Sequence, residues 1–154
     1  MKSYNLLLIL NNQTKKIISL TVLSLLLFSC DYFNSISSNR ALNYKIEIAF
    51  KAHAEIIDVS NFNSFDWDQL LILGPYTVIE TSEKTLQINL ENIRKHAITH
   101  DDSINLFVFI KNGKSVKIAE VSRGVGDFKD LNILIEKNDA KFIKTTNGQI
   151  KLMY

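Results

Sequence analysis

Between residues 69 and 73 the chain reads Gln-Leu-Leu-Ile-Leu, with no alternation of polar and apolar positions. Such a run predicts a short strand buried on both faces. Gly74-Pro75 ends it, because proline has no N–H for a ladder and fixes φ. Just ahead lies Phe65-Asp66-Trp67-Asp68, and Tyr76 follows the proline, where it is expected to pack at the strand end with its hydroxyl reaching a polar partner. The stretch 65–76 holds the only Trp and the only Pro of the 154 residues. The rest of the pattern is arranged around it.

Residues 41–54 carry two periods at once. Leu42, Ile46, Ala49, Phe50 and Ala54 recur at helical spacing, while Tyr44, Ile46, Ile48 and Phe50 alternate as in a strand. The alanines at 41, 49, 52 and 54 favour a helix over 42–51. Residues 55–59 predict a short strand and 60–64 a polar turn. Residues 77–83 read as a turn or one short helix. In 91–97, Leu90, Ile93 and Ala97 share a face, which predicts a two-turn helix with Asn89 as its cap. Asp101-Asp102-Ser103 is a polar break. Apolar segments 104–110 and 115–121 flank Lys111-Asn112-Gly113-Lys114, a hairpin signal because Asn and Gly both tolerate positive φ. After a loop at 122–127 and a strand within 131–136, segments 141–144 and 149–152 form a second hairpin around Asn147-Gly148. The sum is one α+β domain over 41–154, an antiparallel sheet of about five or six strands with two helices on one face.

Residues 1–29 follow a different rule. Lys15 and Lys16 precede an apolar stretch at 17–28 broken only by Ser19, Thr21 and Ser24. A charged segment followed by an apolar one of this length predicts a signal peptide, too short for a comfortable bilayer span. It ends in Leu27-Phe28-Ser29-Cys30, which resembles the lipobox of bacterial lipoproteins, although Phe28 is bulkier than the residue usual there. The resemblance implies a diacylglyceryl group on Cys30, cleavage before it, and acylation of the new amino terminus. The competing reading is that Cys30 merely ends a secretory signal or a membrane helix. Cys30 is the only cysteine, so no disulfide within the chain competes for its thiol. Residues 30–40, rich in Ser and Asn, read as the lipidated Cys and a flexible tether.

Removing residues 1–29 also changes the charge. The formal +2 includes Lys2, Lys15 and Lys16; without them the chain carries 15 basic and 16 acidic residues. No basic patch interleaved with aromatics remains, so a nucleic-acid partner is not expected.

Candidate chemistry is sparse. Asp66 and Asp68, two apart, would share one face of a strand and could act as acid and base or hold a cation. The plainer reading is a turn with Trp67 in the core and the carboxylates solvated or capping local N–H groups. His96 and His100 are four apart, the spacing of a zinc-binding helical pair, if the helix at 91–97 ran on to His100. No Glu follows His96, so the H-E-x-x-H pattern is absent, and a helix ending near Ala97 would separate the two. His53 stands alone. Gly124-Val125-Gly126 lacks the strand and helix that a phosphate loop needs. There is no G-x-S-x-G, and no cysteine remains for a Cys–His pair.

The central stretch resembles, over about a dozen residues, a motif of small uncharacterised bacterial lipoproteins: Phe65, Trp67 and Asp68, aliphatics, then Gly74-Pro75-Tyr76. Gln69 stands where that family usually has Lys. The resemblance implies a shared fold and no particular activity. Two functions are therefore expected to compete. One is a membrane-anchored, non-enzymatic envelope module, held by lipid on Cys30, that binds an envelope protein or supports assembly without a cofactor. The other is a small envelope hydrolase or metal-dependent enzyme using Asp66, Asp68, His96 or His100.

Overall fold

The computed structural model describes residues 14–18, 21, 35–52 and 54–153. Contacts divide the chain into two units, Met1–Ser35 and Ile36–Tyr154. In the first, residues 14–18 and 21 are helical. The expected signal peptide, with Cys30 and the start of the tether, falls largely outside the described residues.

The second unit is α+β and holds two four-stranded sheets. Its first element is helix α1 (Arg40–Lys51), capped by Asn39, whose side chain accepts from the N–H groups of Ala41 and Leu42. Strand β1 (Ile57–Asp58) and β2 (Gln69–Leu73) follow, then helix α2 (Ile79–Leu86). Next come the long pair β3 (Ile104–Lys111) and β4 (Lys114–Ser122). The short strands β5 (Asp127–Phe128) and β6 (Leu134–Glu136) precede the closing hairpin of β7 (Lys141–Lys144) and β8 (Gln149–Leu152).

The central sheet has the order β4-β3-β2-β6 and the outer one β1-β7-β8-β5. All pairings are antiparallel except β5 with β8. One sheet of five or six strands was expected, and the difference has a simple cause. β1 and β5 are two residues each, and they pair with β7 and β8 rather than with the central strands. Their partners lie more than 80 or more than 20 residues along the chain, a choice that no local pattern encodes.

The aliphatic run in β2 is buried on both faces, as its pattern requires. Leu70 and Ile72 point into a core shared with the outer sheet and α1; Leu71 and Leu73 point into a second core on the opposite side. β3 divides the same way, Phe107 and Phe109 against Leu106, Val108 and Ile110. The first core contains Leu42, Ile46 and Phe50 of α1. The second is covered by α2 and by residues 88–98, through Ile79, Ile88, Leu90, Ile93 and Ile98. The two helices therefore lie on opposite faces of the central sheet, not on one.

The helix expected at 91–97 is also corrected. Residues Glu91–Ile93 form a single 3₁₀ turn and Ala97–His100 another. His96 breaks the run: its backbone is extended and its Nδ1 accepts from the N–H of Ile98, as a capping side chain does. Asn89 does serve locally, its Oδ1 accepting from the N–H of Glu91. The second helix is α2, which overlaps the segment 77–83 read as a turn or short helix and runs on to Leu86. Its middle position on the buried face is Ser82, 7% exposed, so the apolar period was interrupted there.

Edge strand β4 is closed off by side chains. The N–H groups of Glu120 and Ser122 donate to Asn43 Oδ1 at 3.2 Å and Glu47 Oε1 at 3.0 Å. Asn43 and Glu47 are one turn apart on α1 and stand in for the missing neighbouring strand. The N–H of Ser122 is the main influence holding the Glu47 carboxyl below its ordinary value.

Candidate functional site

The Asp66-Trp67-Asp68 segment enters β2 as an irregular stretch. Trp67 is 1% exposed, and its Nε1 donates to the carbonyl of Phe62 at 3.0 Å. Its ring meets Phe109 edge to face at 5.1 Å, and Lys137 Nζ stands 5.0 Å above it. Burying the indole turns the two aspartates outward. Both converge on Lys111 at the end of β3: Nζ lies 3.1 Å from Asp66 Oδ2 and 2.7 Å from Asp68 Oδ1. Asp68 Oδ2 also accepts from the N–H of Asn112 at 3.0 Å. Lys111 and, next, that N–H hold the Asp68 carboxyl below its ordinary value, and Asp68 first and Asp66 second hold Lys111 above its own. A carboxylate fixed in this way stays ionised and is a poor proton donor near neutral pH. The three groups form a clasp that ties the entry of β2 to the β3–β4 turn.

The histidines are committed elsewhere. His96 Nε2 lies 3.0 Å from Glu120 Oε1 on β4, while its Nδ1 takes the N–H of Ile98. His100 ends the following 3₁₀ turn and is exposed. Among the described residues no group of three or more His, Cys, Asp or Glu side chains is placed to hold a metal ion. The aspartate pair and the histidine pair are not brought into one cluster. Cys30 and His53 lie outside the described residues.

The Gly74-Pro75-Tyr76 segment does form a surface feature. The Thr77 N–H and Oγ1 both donate to the carbonyl of Gly74, at 3.3 and 2.7 Å, closing a turn with Pro75 and Tyr76 at its centre. Proline suits the first central position, and the second requires positive φ. Tyr76 occupies that second position with φ 59°. Glycine is the usual residue there, since a Cβ crowds the following carbonyl oxygen in this region. Gly74 lies close to its neighbour: a Cβ on it would stand 2.8 Å from Leu131 Cδ1, so the end of that side chain would have to shift.

The Tyr76 ring is 60% exposed, where packing at the strand end was expected. Its N–H donates to the carbonyl of Ile98 at 3.0 Å. Partial desolvation of the hydroxyl, and after it the Asp102 carboxylate that the hydroxyl faces, raise its pKa above the ordinary phenol value. Tyr76 is thus engaged at both ends, backbone and hydroxyl, by residues 98–102 while staying exposed. Beside it a groove of about 430 Å³ runs along α2, lined by Pro75, Tyr76, Thr81, Thr85, Leu86 and Asn132, among others. Asn132 also has positive φ, 57°, and its Oδ1 accepts from the nearly buried Ser82 hydroxyl at 3.3 Å.

Thr81, Thr85 and Asn132 were not singled out in the sequence. Thr81 and Thr85 stand i and i+4 on α2, which brings both to one face, but that signal depends on recognising α2 first. Asn132 reaches the groove only because its backbone N–H pairs with the carbonyl of Ile72, 60 residues earlier.

No protein-family model matches this chain, and no significant match is found among curated proteins or solved structures.

Proposed function

We propose that the protein is a lipid-anchored module of the bacterial cell envelope, with a small α+β domain that binds a partner or ligand and carries out no chemistry of its own. The observation that carries the anchoring half is the apolar segment at 17–28 ending in Leu27-Phe28-Ser29-Cys30. Each buried CH₂ of an attached lipid adds roughly 0.8 kcal/mol of membrane affinity, so two or three acyl chains on Cys30 would hold the protein durably. The likeness of Trp67, Asp68, Gly74, Pro75 and Tyr76 to small bacterial lipoproteins supports the same reading.

The binding half is supported by how the polar candidates are used. Asp66 and Asp68 are clasped by Lys111, and His96 pairs with Glu120. Among the described residues the groove beside Tyr76 offers an open surface, and its volume lies within the range of small-molecule sites.

Membrane fractionation with intact mass, run on wild type and Cys30→Ala, tests the anchor. The expected wild-type species sits in the membrane, begins at Cys30 and carries lipid mass, while Cys30→Ala stays unprocessed. A soluble wild type, or one retaining residues 1–29, would overturn the reading. Protease added to whole cells then reports which side of the envelope the domain faces.

A further inference from the structure

We propose that the groove between the Gly74–Thr77 turn and α2 binds a neutral saccharide, with Tyr76 as its stacking platform. The proposal rests on reading the domain as a binding module and goes on to name the ligand class. Three observations lead there.

The first is charge. None of the residues that line the groove is charged, although 22% of the chain is Asp, Glu, Lys or Arg. Glu83 lies on the other side of α2 from Thr81 and Thr85 and is engaged there, accepting from Arg94 and from the N–H of Leu90. An anionic ligand would find no cation among the lining residues, would meet the Asp102 carboxylate that faces the Tyr76 hydroxyl, and would lose hydration on entering.

The second is the supply of polar groups. The wall offers the hydroxyls of Thr81 and Thr85 one helical turn apart and the side-chain amide of Asn132. Among the described residues neither the two threonine hydroxyls nor the Asn132 Nδ2 has a hydrogen-bond partner, while the Asn132 Oδ1 accepts from Ser82. Hydroxyls both donate and accept, and an amide nitrogen donates. Such a set matches a ligand that is itself covered with hydroxyl or acetamido groups.

The third is the ring. An exposed tyrosine carries a broad apolar face with an electron-rich surface. The positive φ that projects Tyr76 is one that glycine would adopt without strain, so the aromatic ring is kept where the backbone does not favour it. Pro75 and Leu86 extend the apolar floor beside it. A pyranose ring has the complementary form, a C–H face to lie on an aromatic ring and a rim of hydroxyls to meet Thr81, Thr85 and Asn132.

Tyr76→Gly is the informative variant, because it relieves the backbone while deleting the platform. Thr81→Val with Thr85→Val removes both hydroxyls at nearly constant shape on an exposed helix face. The detergent-solubilised mature chain would be titrated with maltotetraose, cellotetraose, chitotetraose and, as the charged control, tetragalacturonate. Binding would be followed by calorimetry and by amide chemical shifts.

The expected result is millimolar or tighter binding of at least one neutral tetrasaccharide, with shifts centred on residues 75–86 and 131–133. Each variant should weaken it by about tenfold or more, while Tyr76→Gly keeps or raises Tm. The proposal is overturned if no neutral tetrasaccharide binds at millimolar concentration, if the shifts lie elsewhere, if both variants bind as wild type does, or if tetragalacturonate binds equally well. A protein partner captured at Tyr76 by a chain that ignores all four sugars would sink the saccharide and leave the binding-module reading standing. Absence of lipid on Cys30 would sink the anchor and leave the sugar titration unaffected.

Discussion

The two faces of the central sheet are built from different materials. The core toward α1 and the outer sheet holds Phe50, Phe62, Trp67, Phe107, Phe109, Phe128 and Phe142. The opposite core holds no aromatic side chain; it is made of Leu, Ile and Val. On the first side the rings interlock edge to face: Phe50 meets Phe107, Phe128 and Phe142 at 5.8, 5.1 and 5.6 Å. Such pairs contribute about 0.5–1.5 kcal/mol each beyond the area they bury. On the second side the cover is one two-turn helix without a side-chain N-cap bond, followed by two 3₁₀ turns. Elements of that length have little stability of their own and depend on the few aliphatic side chains they bury. The candidate groove lies on this lighter cover. The aromatic side is thus expected to open with the whole domain and the aliphatic cover to open at lower cost.

The comparison can be broken most forcefully at Trp67. Trp67→Ala is expected to cost about 3–5 kcal/mol of unfolding free energy by denaturant titration, since it empties an aromatic site and orphans the carbonyl of Phe62. Ile79→Ala, on the aliphatic side, should cost about 2–3 kcal/mol. Its effect should also be local: hydrogen exchange speeds up across α2 while amides at the centre of β3 change less. Equal acceleration in both places would mean that the two cores open as one unit. A smaller effect of opposite sign is expected at Asn105, which is 3% exposed and whose Nδ2 has no partner among the described residues. It lies on the aromatic side of β3, next to Phe107. Asn105→Leu should raise stability by about 1 kcal/mol, because an unpaired amide is taken out of the interior at similar volume.

The smallest effect belongs to the Lys111 clasp, at the surface. The fold holds the Asp68 carboxyl below its ordinary value of 3.8, so its contribution is complete above that pH and is lost as pH falls through the lower folded value. Asp68→Asn should therefore be slightly less stable than wild type at neutral pH, with the gap closing as pH drops below 3.8. A constant gap across an acid titration would show that Asp68 acts through shape and not through charge.

Much of the architecture was legible along the chain. The hairpin of β3 and β4 was readable because Asn112 and Gly113 adopt φ of 49° and 70°, values those two residues reach with least strain. The strand at 69–73 was readable because an unbroken aliphatic run has few other uses. α2 was legible only as a turn or short helix ending near 83, because its buried face contains Ser82 and its sequence, Ile-Glu-Thr-Ser-Glu-Lys-Thr-Leu, has weak helix propensity through its middle. The helix expected at 91–97 failed because His96 supplied its own cap to Ile98. Of the candidate site, Gly74, Pro75 and Tyr76 stood out as a motif, whereas the threonines and Asn132 around them did not.

What the sequence determined by itself is whatever depends on neighbours a few residues away: turn residues with positive φ, the Asn39 cap of α1, the two-faced burial of β2, and a leading segment whose pattern differs from all that follows. What only the tertiary structure decided is which distant partners meet. Lys111 takes Asp68 from 43 residues away, Glu120 takes His96 from 24, and β1 seeks β7 across the whole domain. The local free energies of such segments are nearly the same in several pairings. Burying the aromatic side chains together is what selects one of them, and that selection set the groove beside Tyr76.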